Sequence, residues 1–280
     1  MGGPPPGGPP PGGGGGAAGA PPGPRGRWAK RAAPPVELDY DERLDELRGT
    51  PFRIVQKLDG TAYAVDAILL GRFAELPAQG RVADLGCGDG ILPLLVKARR
   101  PKLAIVGYEL QAELVGLARR NLALNGLADV AIEAADVREL PALVLPESFD
   151  VVLANPPYYP LGSGAVPERA ARALARHEIA GTLADFVASA AWLLPYGGRL
   201  DLVLPAARFY EVDKLLPAHV FAIRRLRFVR PRPGENAHLV LLEAERFYNG
   251  PRQGLPDLTV RDERGGFTPE MTAIYEGRAG

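Results

Sequence analysis

Asn155-Pro156-Pro157-Tyr158 brings together groups suited to chemistry on a planar amino nitrogen. An amino group on a purine is a poor nucleophile because its lone pair is delocalised into the ring. Two acceptors that grip its two N–H bonds draw it toward tetrahedral geometry and absorb the positive charge that develops. The Asn155 side-chain carbonyl is one such acceptor. The Pro156 backbone carbonyl is the second, since consecutive prolines set φ and remove competing N–H donors. Tyr158 adds a flat face on which a flipped-out base can stack. No general base is required, because the proton can leave after the transfer. Other planar nitrogens fit the same grip: the amines of cytosine and guanine, and the side-chain amide of glutamine. The four residues also read as a strand-ending turn with a packed aromatic.

A second group of residues could hold a cofactor. Asp84-Leu-Gly86-Cys-Gly88-Asp-Gly90 runs directly into Ile91-Leu92-Pro93. Glycines at alternate positions let the backbone turn tightly and approach a ligand without side chains in the way. The spacing is not the Gly-x-Gly-x-x-Gly of dinucleotide sites, and no Lys-Ser/Thr pair follows as in a P-loop. It suits a ligand with a carboxylate and a nucleoside but no pyrophosphate, with free N–H groups at the helix start for the carboxylate. Glu109 lies about twenty residues further on, where a carboxylate accepts from both ribose hydroxyls. Asp136, with the neighbouring N–H of Val137, falls where an adenine edge would be. Singly, Asp84 reads equally as a helix cap, Glu109 as a surface acid and Asp136 as a turn former. Cys87 reads as a small packing residue.

These residues sit at the ends of apolar runs. Residues 81–84, 103–108, 130–132, 149–154 and 199–204 read as buried parallel strands. Residues 91–98, 111–125 and 183–194 carry helical periodicity, and Gly126 stands where a left-handed cap is expected. Residues 221–229 and 239–245 flank Pro231, Pro233 and Gly234, which predicts a hairpin. The alternation predicts an α/β fold: a doubly wound, mostly parallel seven-stranded sheet with one antiparallel edge strand and ligands at the strands' carboxyl ends.

Composition excludes several classes. No apolar run approaches the roughly 20 residues of a membrane helix, and the N-terminus lacks a secretory signal pattern. Cys87 is the single cysteine, and His177, His219 and His238 are widely spaced. No disulfide framework or metal site is expected, and the cytoplasm is the expected compartment. Residues 1–36 form a Gly/Pro-rich tail and basic linker expected to be disordered, and 37–280 a catalytic domain with its core at about 47–248. The first 36 residues hold four of the 33 basic residues and no acid, leaving 29 basic against 33 acidic in the rest. That balance argues against an extensive phosphate-binding surface but not a local patch. Arg224, Arg225, Arg227, Arg230 and Arg232 form one candidate patch for RNA. Arg169, Arg172 and Arg176, spaced for one helical face, form another. A solvated charged face is the plainer reading of both.

The glycine loop, Glu109 and Asp136, in order and at strand ends, are similar to the class I S-adenosylmethionine methyltransferases with a Rossmann-like fold. With Asn155-Pro-Pro-Tyr158 added, the chain resembles the bacterial tRNA adenine-N6 methyltransferases acting 3′ of the valine-tRNA anticodon. The resemblance extends over about 47–275. It includes Val65-Asp66-Ala-Ile-Leu-Leu-Gly71, Tyr158-Tyr159, the 171–177 segment, 230–243 and 258–262. It implies S-adenosyl-L-methionine as cofactor, held by Asp66, Asp84, Gly86, Gly88, Gly90, Glu109 and Asp136. It also implies Asn155, Pro156 and Tyr158 as catalytic or base-holding residues and tRNA as partner; a monomer is the default. Val65, where that family has a small polar residue, the tail and the acidic body depart from the pattern. Another amine, in rRNA, DNA or a protein glutamine, is the alternative substrate.

Overall fold

The computed structural model describes residues 1–3, 36–58, 65–156 and 181–278. The chain separates into residues 1–33 and 34–280. Only Met1–Gly3 of the first unit are described, so the tail and linker expectations lie outside the described residues. The second unit carries all the elements.

A two-stranded hairpin comes first, β1 (Glu42–Glu46) with β2 (Arg53–Lys57). The main sheet contains β3 (Gly80–Leu85), β4 (Leu103–Glu109), β5 (Val130–Ala134), β6 (Val151–Ala154), β7 (Arg199–Pro205), β8 (Phe221–Arg230) and β9 (Leu239–Arg246), with the short β10 (Gln253–Gly254) and β11 (Leu258–Thr259). The order is β10-β8-β9-β7-β6-β3-β4-β5, with β11 also on β8. The helices among the described residues are α1 (Val65–Phe73), α2 (Ile91–Arg99), α3 (Ala112–Leu124), α4 (Leu140–Leu143), α5 (Leu183–Leu193), α6 (Phe209–Leu215) and α7 (Pro269–Tyr275).

The predicted doubly wound α/β class is the observed one, and strands β3 to β7 pair parallel. One detail differs. The antiparallel strand β9 lies between β7 and β8 rather than at the edge. The β8–β9 hairpin forms as expected, but its second strand inserts beside β7. β8 is thereby left outside, parallel to β7, and its outer side pairs with β10 and β11.

Alternation along the strands divides the core. Ala83, Leu85, Val152, Ala154, Leu200, Leu202 and Leu204 pack against Phe186, Val187 and Ala190 of α5 and Val212 of α6. Helices α1, α2 and α3 contact the sheet through β7, β4 and β5. Gly126 adopts φ 68° and ends α3 as expected, with Leu127 N donating to Leu122 O at 3.0 Å. From β3 the chain winds outward through β4 and β5, then returns to place β6 on the other side of β3. That reversal opens a crevice at the carboxyl ends of β3 and β6, where ligands bind in folds of this kind. Helix α7, buried through Met271 and Ile274, contacts α1 and extends the fold past the expected core.

Candidate active site

Leu85 of β3 pairs with Ala154 of β6, so Gly86 and Asn155 leave adjacent strands side by side. The glycine loop and the Asn-Pro motif therefore face the same crevice. Gly86, Gly88 and Gly90 all have positive φ. At Gly88 a Cβ would meet no heavy atom within 4 Å, whereas at Gly90 it would sit 3.3 Å from Ala118 Cβ. The loop is thus tight on its inner side and open toward the crevice.

Three carboxylates surround the loop. Asp84 is 1% exposed, and neither of its oxygens has a hydrogen-bond partner among the described residues. Burial raises its carboxyl well above the usual range, and the charges of Glu109 and Asp89 raise it further. Glu109 ends β4 and braces the loop: its Oε2 accepts from Gly88 N at 3.0 Å and its Oε1 from Gln111 N at 2.9 Å. Each oxygen keeps a lone pair for a further donor. Asp89 accepts from Gln56 Nε2 at 3.0 Å and Ile91 N at 3.3 Å.

Cys87 packs, as expected. It is 4% exposed, and a Cβ on Gly107 would lie 2.8 Å from its Sγ, so the missing side chain at 107 makes room for the thiol. Burial pushes that thiol up, with Asp84 next in effect, which keeps it protonated and unreactive.

Asn155 is half-buried, and its Oδ1 has no hydrogen-bond partner among the described residues; Pro156 beside it is buried. An acceptor left dry and unmatched is costly unless something arrives to donate to it. Tyr158 lies outside the described residues, as do Arg169, Arg172 and Arg176.

Asp136 does what its plainer reading implied. It caps a 3₁₀ turn at Val137–Glu139 by accepting from Arg138 N at 2.9 Å, and it pairs with the Arg138 guanidinium. The Arg138 hydrogen bond holds its carboxyl below the usual range. Asp66 stands in the first turn of α1, and its charge helps to raise the Tyr275 hydroxyl, though burial is the larger cause.

The arginine run is paired throughout. Arg224 contacts Glu75 and Glu243; Arg225 contacts Glu75 at 2.8 Å and Glu243 at 3.1 Å and lies over the Phe73 ring. Arg227 meets Glu270, Arg230 meets Asp257 at 2.6 Å, and Arg232 meets Glu235 at 3.4 Å. Only Arg230 and Arg232 belong to the strand end that shares the crevice's edge, since Val229 pairs with Leu239 and Leu239 with Pro205 at the close of β7. Asp89, Gln56 and Asn121, which touch the loop, were not singled out from sequence. Asp89 was visible inside the glycine motif, and an asparagine inside a helix commonly signals a side chain bonded to backbone.

The residues present fit S-adenosylmethionine. An open glycine turn admits its backbone, and three buried or bracing carboxylates suit a ligand carrying an ammonium and a sulfonium. Among the described residues no cluster of His, Cys, Asp or Glu could hold a metal ion, and no helix is long and apolar enough to cross a membrane.

Comparison with known proteins agrees with this geometry. The methyltransferase small domain profile matches residues 60–226. A tRNA1(Val) (adenine(37)-N6)-methyltransferase of Yersinia enterocolitica is 29% identical over 211 residues, 75% of this chain and 82% of that protein. One of Porphyromonas gingivalis is 30% identical over 185 residues, 64% of this chain and 72% of that protein. Among solved structures, Atu636 of Agrobacterium tumefaciens, described as a predicted O-methyltransferase, superposes with a TM-score of 0.63. It is 27% identical over 77% of this chain and 97% of its own. The enzyme is an S-adenosylmethionine-dependent methyltransferase. With more than half its length inside the profile and relatives matched across most of their own, the chain belongs to the methyltransferase small domain family.

Proposed function

We propose that the enzyme methylates the exocyclic N6 amino group of an adenine in tRNA, the adenine 3′ of the anticodon. One observation carries the reading at the level of chemistry: Asn155 Oδ1, buried and without a donor among the described residues, at the strand end beside the glycine loop. The names of the Yersinia and Porphyromonas relatives support the choice of base and RNA.

S-adenosylmethionine supplies an electrophilic methyl group on a sulfonium. Asp84, Glu109 and the loop around Gly88 bind and orient that donor, with Asp66 and Asp136 assigned to its rim. Asn155 Oδ1 and the Pro156 carbonyl accept the two N–H bonds of the amine, so its lone pair turns toward the methyl group. Tyr158 would hold the base by stacking. Catalysis is assigned to residues 37–280, acting as a monomer in the cytoplasm. Arg230 and Arg232, with Arg169, Arg172 and Arg176, are assigned to phosphate contacts. Arg230 and Arg232 would exchange Asp257 and Glu235 for phosphate oxygens. Arg224 and Arg225 are held by Glu75 and Glu243 and serve the fold.

Methyl transfer from labelled S-adenosylmethionine to total RNA of a strain lacking the protein, followed by nucleoside analysis, tests the reading. Label in N6-methyladenosine of the tRNA fraction is expected. Label in rRNA, in another nucleoside or on an oxygen would replace the substrate assigned here, and absence of label from RNA would move the same assay to DNA and then to protein glutamine.

A further inference from the structure

The hairpin β1–β2 belongs to neither layer of the main sheet, yet it reaches the cofactor loop. Its outer edge is paired with a helix. Asn121 Oδ1 accepts from Val55 N at 2.7 Å and its Nδ2 donates to Val55 O at 3.1 Å. Asn125 repeats the pattern on Arg53, accepting from its N at 2.9 Å and donating to its O at 2.7 Å. Four helical residues rise about 6 Å and two strand residues span about 6.6 Å, so asparagines at i and i+4 can match strand residues at i and i+2. The two side chains supply the partners that another strand would supply and leave that edge closed.

The same clamp meets the loop. Asn121 is fully buried and also donates to Asp89 O at 2.8 Å. Gln56, next along β2 and 5% exposed, donates from Nε2 to Asp89 Oδ2 at 3.0 Å. The remaining oxygen, Oδ1, accepts from Ile91 N, the first residue of α2. Between Gly88 and Gly90, at φ 56° and 86°, Asp89 is the side chain by which the protein can hold that part of the loop. A glycine-rich turn loses much conformational freedom on ordering, so a fixed handle matters there. An amide handle also has a particular merit. It donates to the buried Asp89 carboxyl, which burial pushes up, without setting a fixed cation beside the loop.

We infer that Gln56 is a positioning residue for the cofactor loop: anchored on α3 by Asn121 and Asn125, it fixes Asp89 and thereby the Gly88–Gly90 turn that receives S-adenosylmethionine. The role depends on the cofactor but not on which RNA is methylated.

Calorimetric binding of S-adenosylhomocysteine to the full chain, amide exchange of the loop in cofactor-free protein, and steady-state kinetics test it on two variants. Gln56→Ala should weaken cofactor binding roughly tenfold, the scale of one hydrogen bond to a charged group. KM for S-adenosylmethionine should rise in parallel, with kcat at saturation within about twofold. Exchange at Gly88–Ile91 should quicken while β1 and β2 keep their protection. Gln56→Glu sets two carboxyls face to face. Its affinity should fall at neutral pH and recover toward that of the parent protein as pH drops and the pair comes to share a proton. Unchanged affinity and loop exchange in Gln56→Ala would overturn the inference. So would loss of protection throughout the hairpin, or a Gln56→Glu affinity that follows the parent's pH profile.

Discussion

Asp84 and Glu243 occupy one cross-strand row of the same sheet, joined through Leu153 of β6 and Asp201 of β7. Both are buried carboxylates, and the protein treats them in opposite ways. Glu243 is engaged by Arg224 and Arg225, which also reach Glu75 and so tie β8 and β9 to the end of α1. Asp84 has no hydrogen-bond partner among the described residues, and its nearest charges are acidic. A buried ion network that is complete serves the fold, whereas one left incomplete at a crevice is waiting for a charge from outside. Asp201 lies between them. It is buried, without a hydrogen-bond partner among the described residues, and raised by burial first and then by Glu243.

The largest effects are expected at Asn155 and Glu243. Asn155→Ala should lower kcat about 10²–10³-fold and leave the dissociation constant for S-adenosylhomocysteine within twofold; unimpaired turnover would end the proposed mechanism. Glu243→Ala leaves two partly buried guanidiniums short of one partner and should cost about 1–3 kcal/mol in urea unfolding. A loss below about 1 kcal/mol would mean the network is solvated after all.

Asp84→Asn separates the two ends of the row further. Cofactor affinity should fall about tenfold or more, since a charge-assisted contact to the donor is lost, while the cofactor-free protein gains thermal stability at neutral pH. Loss of both would make Asp84 structural. The pH dependence has a defined sign. Because the folded-state pKa of Asp84 is raised, the folded protein binds its proton more tightly than the unfolded chain does. Its contribution therefore favours folding below the ordinary carboxylate range and is lost as pH rises from that range toward the raised value. A cationic donor favours the ionised form, so cofactor affinity should climb over the same window, with proton release measurable by calorimetry in buffers of different ionisation enthalpy. Asp201→Asn should flatten the stability profile without moving cofactor affinity. The smallest effect is expected at the crevice's rim, where Arg232→Ala should reduce the salt slope of RNA binding by about one.

Much of the site was legible because its elements are local. Gly86, Gly88 and Gly90 are closely spaced, Asn155 directly follows an apolar run, and both lie at strand ends that β/α alternation brings to one edge. The hairpin β1–β2 escaped notice because Glu-Arg-Leu-Asp-Glu carries little apolar alternation, and its outer partner is a pair of asparagines about seventy residues away. The arginines looked available because a sequence shows how closely like charges crowd along the chain. It does not show that Glu75, Glu243, Asp257 and Glu270 come from other elements to meet them.

The sequence by itself determined the fold class, the glycine loop after β3 and the Asn-Pro motif after β6, since each rests on residue types at short spacing and on periodicity that a helix or strand must obey. Only the tertiary structure decided where β9 inserts, which carboxylates are neutralised and which stay open, and that Gln56 reaches Asp89. Those outcomes depend on distances between segments far apart in the chain, and burial sets the energy of each charge only once the segments have met.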